Sequence, residues 1–271
     1  MPLSRLQTTL LQLLAGQRDP ESYVAGAVAL NRDGPRYSAD IDIFQDGDER
    51  LAAIAEADAA TIAKAGFEVV WTSARGTGKR SALVKGLGET TQLDWVADSD
   101  FRFFPVVADP LFGYVLHPID LATNKAAAAA DRRVPRDVVD LVTIHERILP
   151  LGAVVWAAVG RFPGQTPEQM LSDIVRHSRF TAEEFRSLAV DQPLDIPELS
   201  QRIRNMLHEA DAFIARMPSD AAGMLFLLGG TAVQPDPANL GRYQRHGGKR
   251  QGHWPSSAEI GRSMLERYVK D

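Results

Sequence analysis

Two aspartates stand one residue apart in Arg36-Tyr37-Ser38-Ala39-Asp40-Ile41-Asp42-Ile43-Phe44. Their alternation with Ile41 and Ile43 predicts a β-strand that sends Asp40, Asp42 and Phe44 to one face. Two carboxylates so close on one face do not ionise comfortably together without a cation. An oxygen-only pair of this kind suits Mg²⁺. The plainer alternative is an edge strand with a solvated acidic face, but Asp is disfavoured inside strands. A third carboxylate, Asp94 in Thr90-Thr91-Gln92-Leu93-Asp94-Trp95-Val96, would complete a two-metal site. Asp98 is the fallback on the same face. Upstream, Gly26 closes the short apolar run Tyr23-Val24-Ala25 and opens a helix whose backbone N–H groups can meet a phosphate.

The elements that must hold these residues follow from periodicity. Leu3, Leu6, Leu10, Leu13 and Leu14 predict an amphipathic first helix. Asp48 is a candidate N-cap for an Ala-rich helix from Glu49 to Ala65, closed by Gly66. Phe67–Thr72, Arg80–Lys85 and Thr90–Val96 read as strands. After Pro110 the pattern turns helical, with Ile119–Arg132, Arg136–Ile148 and further helices to Met217. The stretch from Gly229 to Trp254 reads as irregular, before a last helix over Ser257–Val269. The expected class is α+β, with a mixed-sheet domain over 1–115 and a mainly helical domain over 116–271 that completes the cleft.

Composition narrows the possibilities. The chain has 271 residues, 45% hydrophobic and 24% charged, with net charge −5, which are globular values. It contains no Cys, which excludes disulfides, thiolate zinc sites and a cysteine nucleophile. The six His residues show no i, i+4 pair on a helix, so zinc is not expected. The start lacks a secretory pattern, and the apolar run Leu151–Val159 is far too short to span a membrane. A cytoplasmic protein is expected.

Motif order is more specific than any single motif. Gly26, then Arg36-x-Ser38-x-Asp40-Ile41-Asp42-Ile43-Phe44, the Asp94 strand, Asp120-Leu121-Ala122-x-Asn124-Lys125, and Arg133-x-x-Arg136-Asp137-x-x-Asp140-Leu141 follow one another over roughly residues 20–150. Together they resemble the AbiEii/AbiGii-type nucleotidyltransferases, toxins of type IV toxin–antitoxin and phage-defence systems with a DNA polymerase β-like fold. The resemblance implies that Asp40, Asp42 and Asp94 bind two Mg²⁺ ions, and that Asp94 helps deprotonate an attacking hydroxyl. It implies catalytic roles for Lys125 and Asp137, and nucleotide contacts from Gly26, Ala27, Arg36, Ser38, Asn124, Lys125 and Asp140. The implied reaction moves a nucleoside monophosphate from an NTP to an acceptor hydroxyl, a tRNA 3′ end above all, and the implied partner is a cognate antitoxin. The chain departs from the family at Gly26-Ala27, where Gly is usually followed by Ser or Thr.

Each residue also has a structural reading. Lys125 can be a solvated surface lysine, and Arg36 and Ser38 can simply end a loop. Arg133, Arg136, Asp137 and Asp140 fall at i, i+3, i+4 and i+7, the spacing of a salt-bridge ladder. Gly76-Thr77-Gly78-Lys79-Arg80-Ser81 hints at a phosphate loop but has the wrong spacing, and a hairpin turn accounts for it better. No apolar strand leads into Asp40 as an aspartyl phosphatase requires. Pro237 to Ala258 holds no acid but contains Arg242, Arg245, Lys249 and Arg250, interleaved with Tyr243. Such a segment suits single-stranded RNA or a solvated loop. Two other functions stay in view. One is a metal-dependent glycosyltransferase; the other is a nucleotide- or partner-binding protein without turnover.

Overall fold

The computed structural model describes residues 3–32, 34–73, 78–99 and 101–250. The first half holds α1 (Arg5–Leu14), β1 (Ser22–Ala25), α2 (Gly26–Leu30), β2 (Asp40–Asp46), α3 (Leu51–Lys64), β3 (Glu68–Trp71), β4 (Lys79–Gly86) and β5 (Glu89–Asp98). It continues with β6 (Phe101–Arg102), β7 (Val107–Asp109) and β8 (Gly113–Val115). Helices follow: α4 (Pro118–Asp131), α5 (Pro135–Arg147), α6 (Leu151–Ala158), α7 (Pro167–His177), α8 (Ala182–Arg186) and α9 (Ile196–Ile214). The described chain ends with β9 (Met224–Leu228), β10 (Thr231–Val233), β11 (Gln244–Gly247) and β12 (Lys249–Arg250).

A seven-stranded mixed sheet in the order β3-β4-β5-β2-β1-β8-β7 carries the acidic residues at its centre. β2 runs parallel to β5, with Asp42 opposite Asp94, and antiparallel to β1, with Asp42 opposite Ala25. Strict alternation along β2 buries Ile41, Ile43 and Gln45 on one face and leaves Asp40, Asp42 and Phe44 half-buried on the other. Behind the sheet, α1 begins with a reciprocal Ser4–Gln7 capping box, which satisfies two otherwise orphaned donors. Its Leu6, Leu10 and Leu14 pack with Ile41, Ile43, Trp95 and Ile62 of α3 into one core.

The helices form a second core around α6, every residue of which is buried. The apolar run at 151–159 is therefore the centre of a helix cluster, and no helix among the described residues is long and apolar enough to cross a membrane. α4 and α5 each begin on a proline at the first turn, where its missing N–H costs nothing.

Three expectations need correction. Asp48 does not cap α3: its Oδ1 accepts from Gly78 N at 2.8 Å, and the helix starts after Arg50 without a side-chain cap. The region before residue 115 contains β6, β7 and β8, two or three residues each, too short for an alternating pattern to register. The stretch from 229 onward is not irregular, because β10-β9-β11 form a three-stranded antiparallel sheet. Gly229 and Gly230 turn that hairpin with φ of 58° and 83°, a conformation two glycines adopt at little steric cost. The helix expected over 257–269 lies outside the described residues, as do residues 74–77 of the expected hairpin turn.

Candidate active site

Asp40, Asp42 and Asp94 converge, with one carboxylate oxygen from each within 4.8 Å of the others. The convergence follows from register: β2 supplies two acids from alternate positions, and its parallel neighbour β5 supplies the third directly opposite Asp42. Each carboxylate is held differently. Ser38 Oγ donates to Asp40 Oδ1 at 2.8 Å. Asp94 accepts from Ser81 Oγ at 2.6 Å, from Lys79 Nζ at 2.9 Å and from Gln92 Nε2 at 2.9 and 3.0 Å. Asp42 is pressed against the backbone of Gly26, whose φ is +69°; a Cβ there would lie 1.8 Å from Asp42 Oδ2. Glycine is needed at 26 for this close approach as well as for its backbone angle.

The electrostatics separate the three. Burial, with Asp40 and Asp94 as neighbours, pushes the Asp42 carboxyl up to about 7 against the pull of Lys125 and Lys79. Burial also works against ionised Asp94, but its hydrogen bonds from Ser81, Lys79 and Gln92 win and hold it below the usual range. Three oxygen donors on adjacent strands, one of them raised to about 7 because burial and its acidic neighbours outweigh the nearby lysines, are the donor set a hard divalent cation satisfies.

The triad forms the floor of a cleft of about 520 Å³ whose opposite wall is α4 and the start of α5. Gly26, Ala27, Asn124 and Lys125 line it, together with Lys79, Gln92, Arg132 and Arg136. Lys125 is not a solvated surface lysine. It is buried, with its Nζ 3.2 Å from Asp137 Oδ1 and 3.0 Å from Asp140 Oδ2. Behind it Arg36 grips Asp140 with two hydrogen bonds of 2.8 and 2.7 Å, and Asn31 Nδ2 donates to the same carboxylate at 2.9 Å. Arg132 pairs with Asp137 at 2.8 Å. Burial opposes the charge on Asp137 and Asp140, yet these cations hold both below the ordinary carboxylate range. The ladder suggested by spacing along α5 does not form: Arg133 turns away to Glu184 at 2.7 Å.

Of the residues singled out by sequence, Asp40, Asp42, Asp94, Gly26, Ala27, Asn124 and Lys125 meet at the cleft. Arg36, Ser38, Asp137 and Asp140 do not line it; they stand one layer behind and hold the groups that do. Asp98 is engaged elsewhere, in an ion pair with Arg161. The basic segment lies away from the cleft lining. Arg242, Arg245 and Lys249 are exposed, and Arg245 pairs with Asp220 at 3.2 Å. Tyr243 is no open platform for a base: its ring packs edge-on to Phe226 and its hydroxyl accepts from Asp236 N. The Arg250 side chain lies outside the described residues.

Sequence reasoning assigned no site role to Lys79, Ser81, Gln92, Arg132 or Arg136. The glycines before Lys79 make it read as a turn residue, although Lys79 and Ser81 alternate onto the Asp94 face once β4 pairs with β5. Arg132 lies seven residues, two helical turns, beyond Lys125 on the same face.

A family profile described as the nucleotidyl transferase AbiEii toxin of type IV toxin–antitoxin systems matches residues 10–216. Among solved structures, MenT4, a nucleotidyltransferase toxin from Mycobacterium tuberculosis, superposes with a TM-score of 0.55 at 19% identity. That match covers 79% of this chain and 83% of MenT4, and it supports the fold. Two Helicobacter pylori proteins, the second of them JHP933, superpose more loosely, each with a TM-score of 0.45. They are 16% and 15% identical, over 78% and 79% of this chain and 94% and 95% of theirs, and add nothing to the assignment. No curated protein sequence matches.

Proposed function

Because the chain belongs to the AbiEii family of nucleotidyltransferase toxins from type IV toxin–antitoxin systems, we propose that its cleft transfers a nucleoside monophosphate from an Mg²⁺-bound NTP to the 3′ hydroxyl of a tRNA. The observation that carries this reading is the Asp40–Asp42–Asp94 cluster facing a wall of cations across one cleft. In the proposed reaction the acceptor oxygen attacks the α-phosphorus as the bond to the β-phosphate oxygen breaks and pyrophosphate leaves. Asp94, kept ionised by its three donors, is the group placed to take the hydroxyl proton. Lys125 and Arg132 on the helical wall, with Lys79 and Arg136, supply positive charge to the phosphates. Asp137 and Asp140 aim Lys125, and Ser38 fixes Asp40. Asp40, Asp42 and Asp94 would hold Mg²⁺, which when bound neutralises charge on the triphosphate. The site of action is the cytoplasm, where a cognate antitoxin restrains it.

The test is incubation of the protein with Mg²⁺, each labelled NTP in turn and total tRNA, beside an Asp40→Asn, Asp42→Asn variant. Label on tRNA with the native protein alone is the expected result. Label on a protein instead would replace the acceptor. Ala27, lacking the hydroxyl usual at that position, favours a second reading in which nucleotide binds without turnover. NTP binding with no label transferred to any acceptor would select it.

A further inference from the structure

The cleft floor has a second row beyond the acids. On the same face of β2 and β5, Phe44 stands opposite Val96, one two-residue step past the Asp42–Asp94 pair, which is about 6.6 Å along the strands. A further step brings Asp46 opposite Asp98. From Asp98 the arrangement crosses to the helical wall: Arg161, just after α6, pairs with Asp98 through Nη2 and donates from Nη1 to Asn124 Oδ1 at 2.5 Å. Arginine N–H groups only donate, so the Asn124 atom facing Arg161 must be the carbonyl oxygen. The orientation of the carboxamide is thereby fixed, and its Nδ2 is the atom left for the cleft, with no hydrogen-bond partner among the described residues.

Phe44, Val96 and Leu121 give that end of the cleft flat apolar walls, whereas its cations, apart from Lys79, sit on the other side of Lys125 at Arg132 and Arg136. A triphosphate suits the cationic part; an aromatic ring suits the apolar part. We infer that Asn124 Nδ2 reads the nucleobase of the incoming NTP by donating to one of its ring-nitrogen or carbonyl acceptors, and that Arg161 is the positioning residue that keeps the amide from flipping. The inference rests on the transferase reading and assigns base selection within it. Asn124 is half-buried, and once a bound base shields its free N–H from water the contact discriminates strongly, because a base offering a donor there leaves both groups unpaired.

The experiment measures equilibrium binding, in Mg²⁺, of the α,β-methylene analogues of ATP, GTP, CTP and UTP and of inorganic tripolyphosphate. The proteins are the native chain, Asn124→Asp, Asn124→Ala, Arg161→Met and Arg161→Lys, each checked by thermal unfolding. Asn124→Asp keeps a partner for Arg161 while replacing the N–H₂ with an oxygen. Expected is a preference for one base in the native protein that falls about tenfold or more in Asn124→Asp, Asn124→Ala and Arg161→Met. Tripolyphosphate affinity stays within about twofold, and Arg161→Lys, which retains a donor, restores part of the preference. Equal losses for all four nucleotides and tripolyphosphate would place the amide on phosphate and overturn the inference. Unchanged preference in the variants, or none in the native protein, would overturn it while leaving transfer to tRNA standing. A native protein that binds no nucleotide would overturn both.

Discussion

The two walls of the cleft use the same residue type to opposite ends. On the sheet wall, Asp40, Asp42 and Asp94 crowd together, and burial with mutual repulsion leaves Asp42 with a carboxyl titrating near 7. On the helical wall, Asp137 and Asp140 are more deeply buried, yet Lys125, Arg36, Arg132 and Asn31 hold both ionised below the usual range. The difference lies in what each wall lacks. The helical network is complete within the protein and serves to fix Lys125. The sheet cluster is left short of positive charge at the point where it faces the cleft.

Substitutions can break that contrast. Asp42→Asn should reduce nucleotide transfer by roughly 10³-fold or more while leaving the urea midpoint unchanged or higher, since it removes a repelled charge. A midpoint that falls sharply would show that the sheet cluster is structural after all. Asp140→Ala should do the reverse in kind, costing about 3–5 kcal/mol in denaturant unfolding because Arg36 and Lys125 lose a buried partner. Its activity loss should follow from the misplaced Lys125.

The pH response sharpens the comparison. With a folded-state pKa of about 7 against 3.8 ordinarily, folded protein without metal holds the Asp42 proton more tightly than the unfolded chain does. The stability contributed by that proton is complete below about pH 4 and is lost as pH rises to about 7. Urea midpoints in EDTA should therefore fall between pH 5 and 7, whereas saturating Mg²⁺ or Asp42→Asn should flatten the slope. A slope identical in all three would remove the charge imbalance from the account. The smallest expected effect is that of Ser38→Ala, which deletes one hydrogen bond to Asp40 and should weaken Mg²⁺-dependent thermal stabilisation by about 1 kcal/mol.

How far the sequence disclosed these walls depended on the element carrying each residue. Alternation in β2 made Asp40 and Asp42 plain; Asp94 was preferred because Asp98 read as a turn residue, whereas β5 runs through Asp98 and what sets the two apart is the ion pair of Asp98 with Arg161. The helical wall was harder. Spacing along α5 suggested a local ladder, whereas Asp137 and Asp140 in fact answer residues from α4 and from the loop before β2. Lys79 was hidden because its role depends on the β4–β5 register, which no local pattern declares. The sheet β10-β9-β11 was missed for a simpler reason: strands of three to five residues are too short to show a period, and the Gly229-Gly230 pair reads as a break as readily as a hairpin turn.

The contact between Asp42 and Gly26 has a practical side. One methyl group at position 26 would collide with Asp42 Oδ2 and demand an unfavourable backbone angle, with a strain of about 1–2 kcal/mol. Position 26 lines the cleft, and the outer surface is expected to keep its native form. Gly26→Ala would thus act as a disarmed decoy: a chain that cells tolerate in quantity while it still offers an antitoxin the surface of the native toxin. Survival of an expressing host, with capture of a cognate antitoxin by the variant, would show that the harm resides in the cleft and the recognition elsewhere.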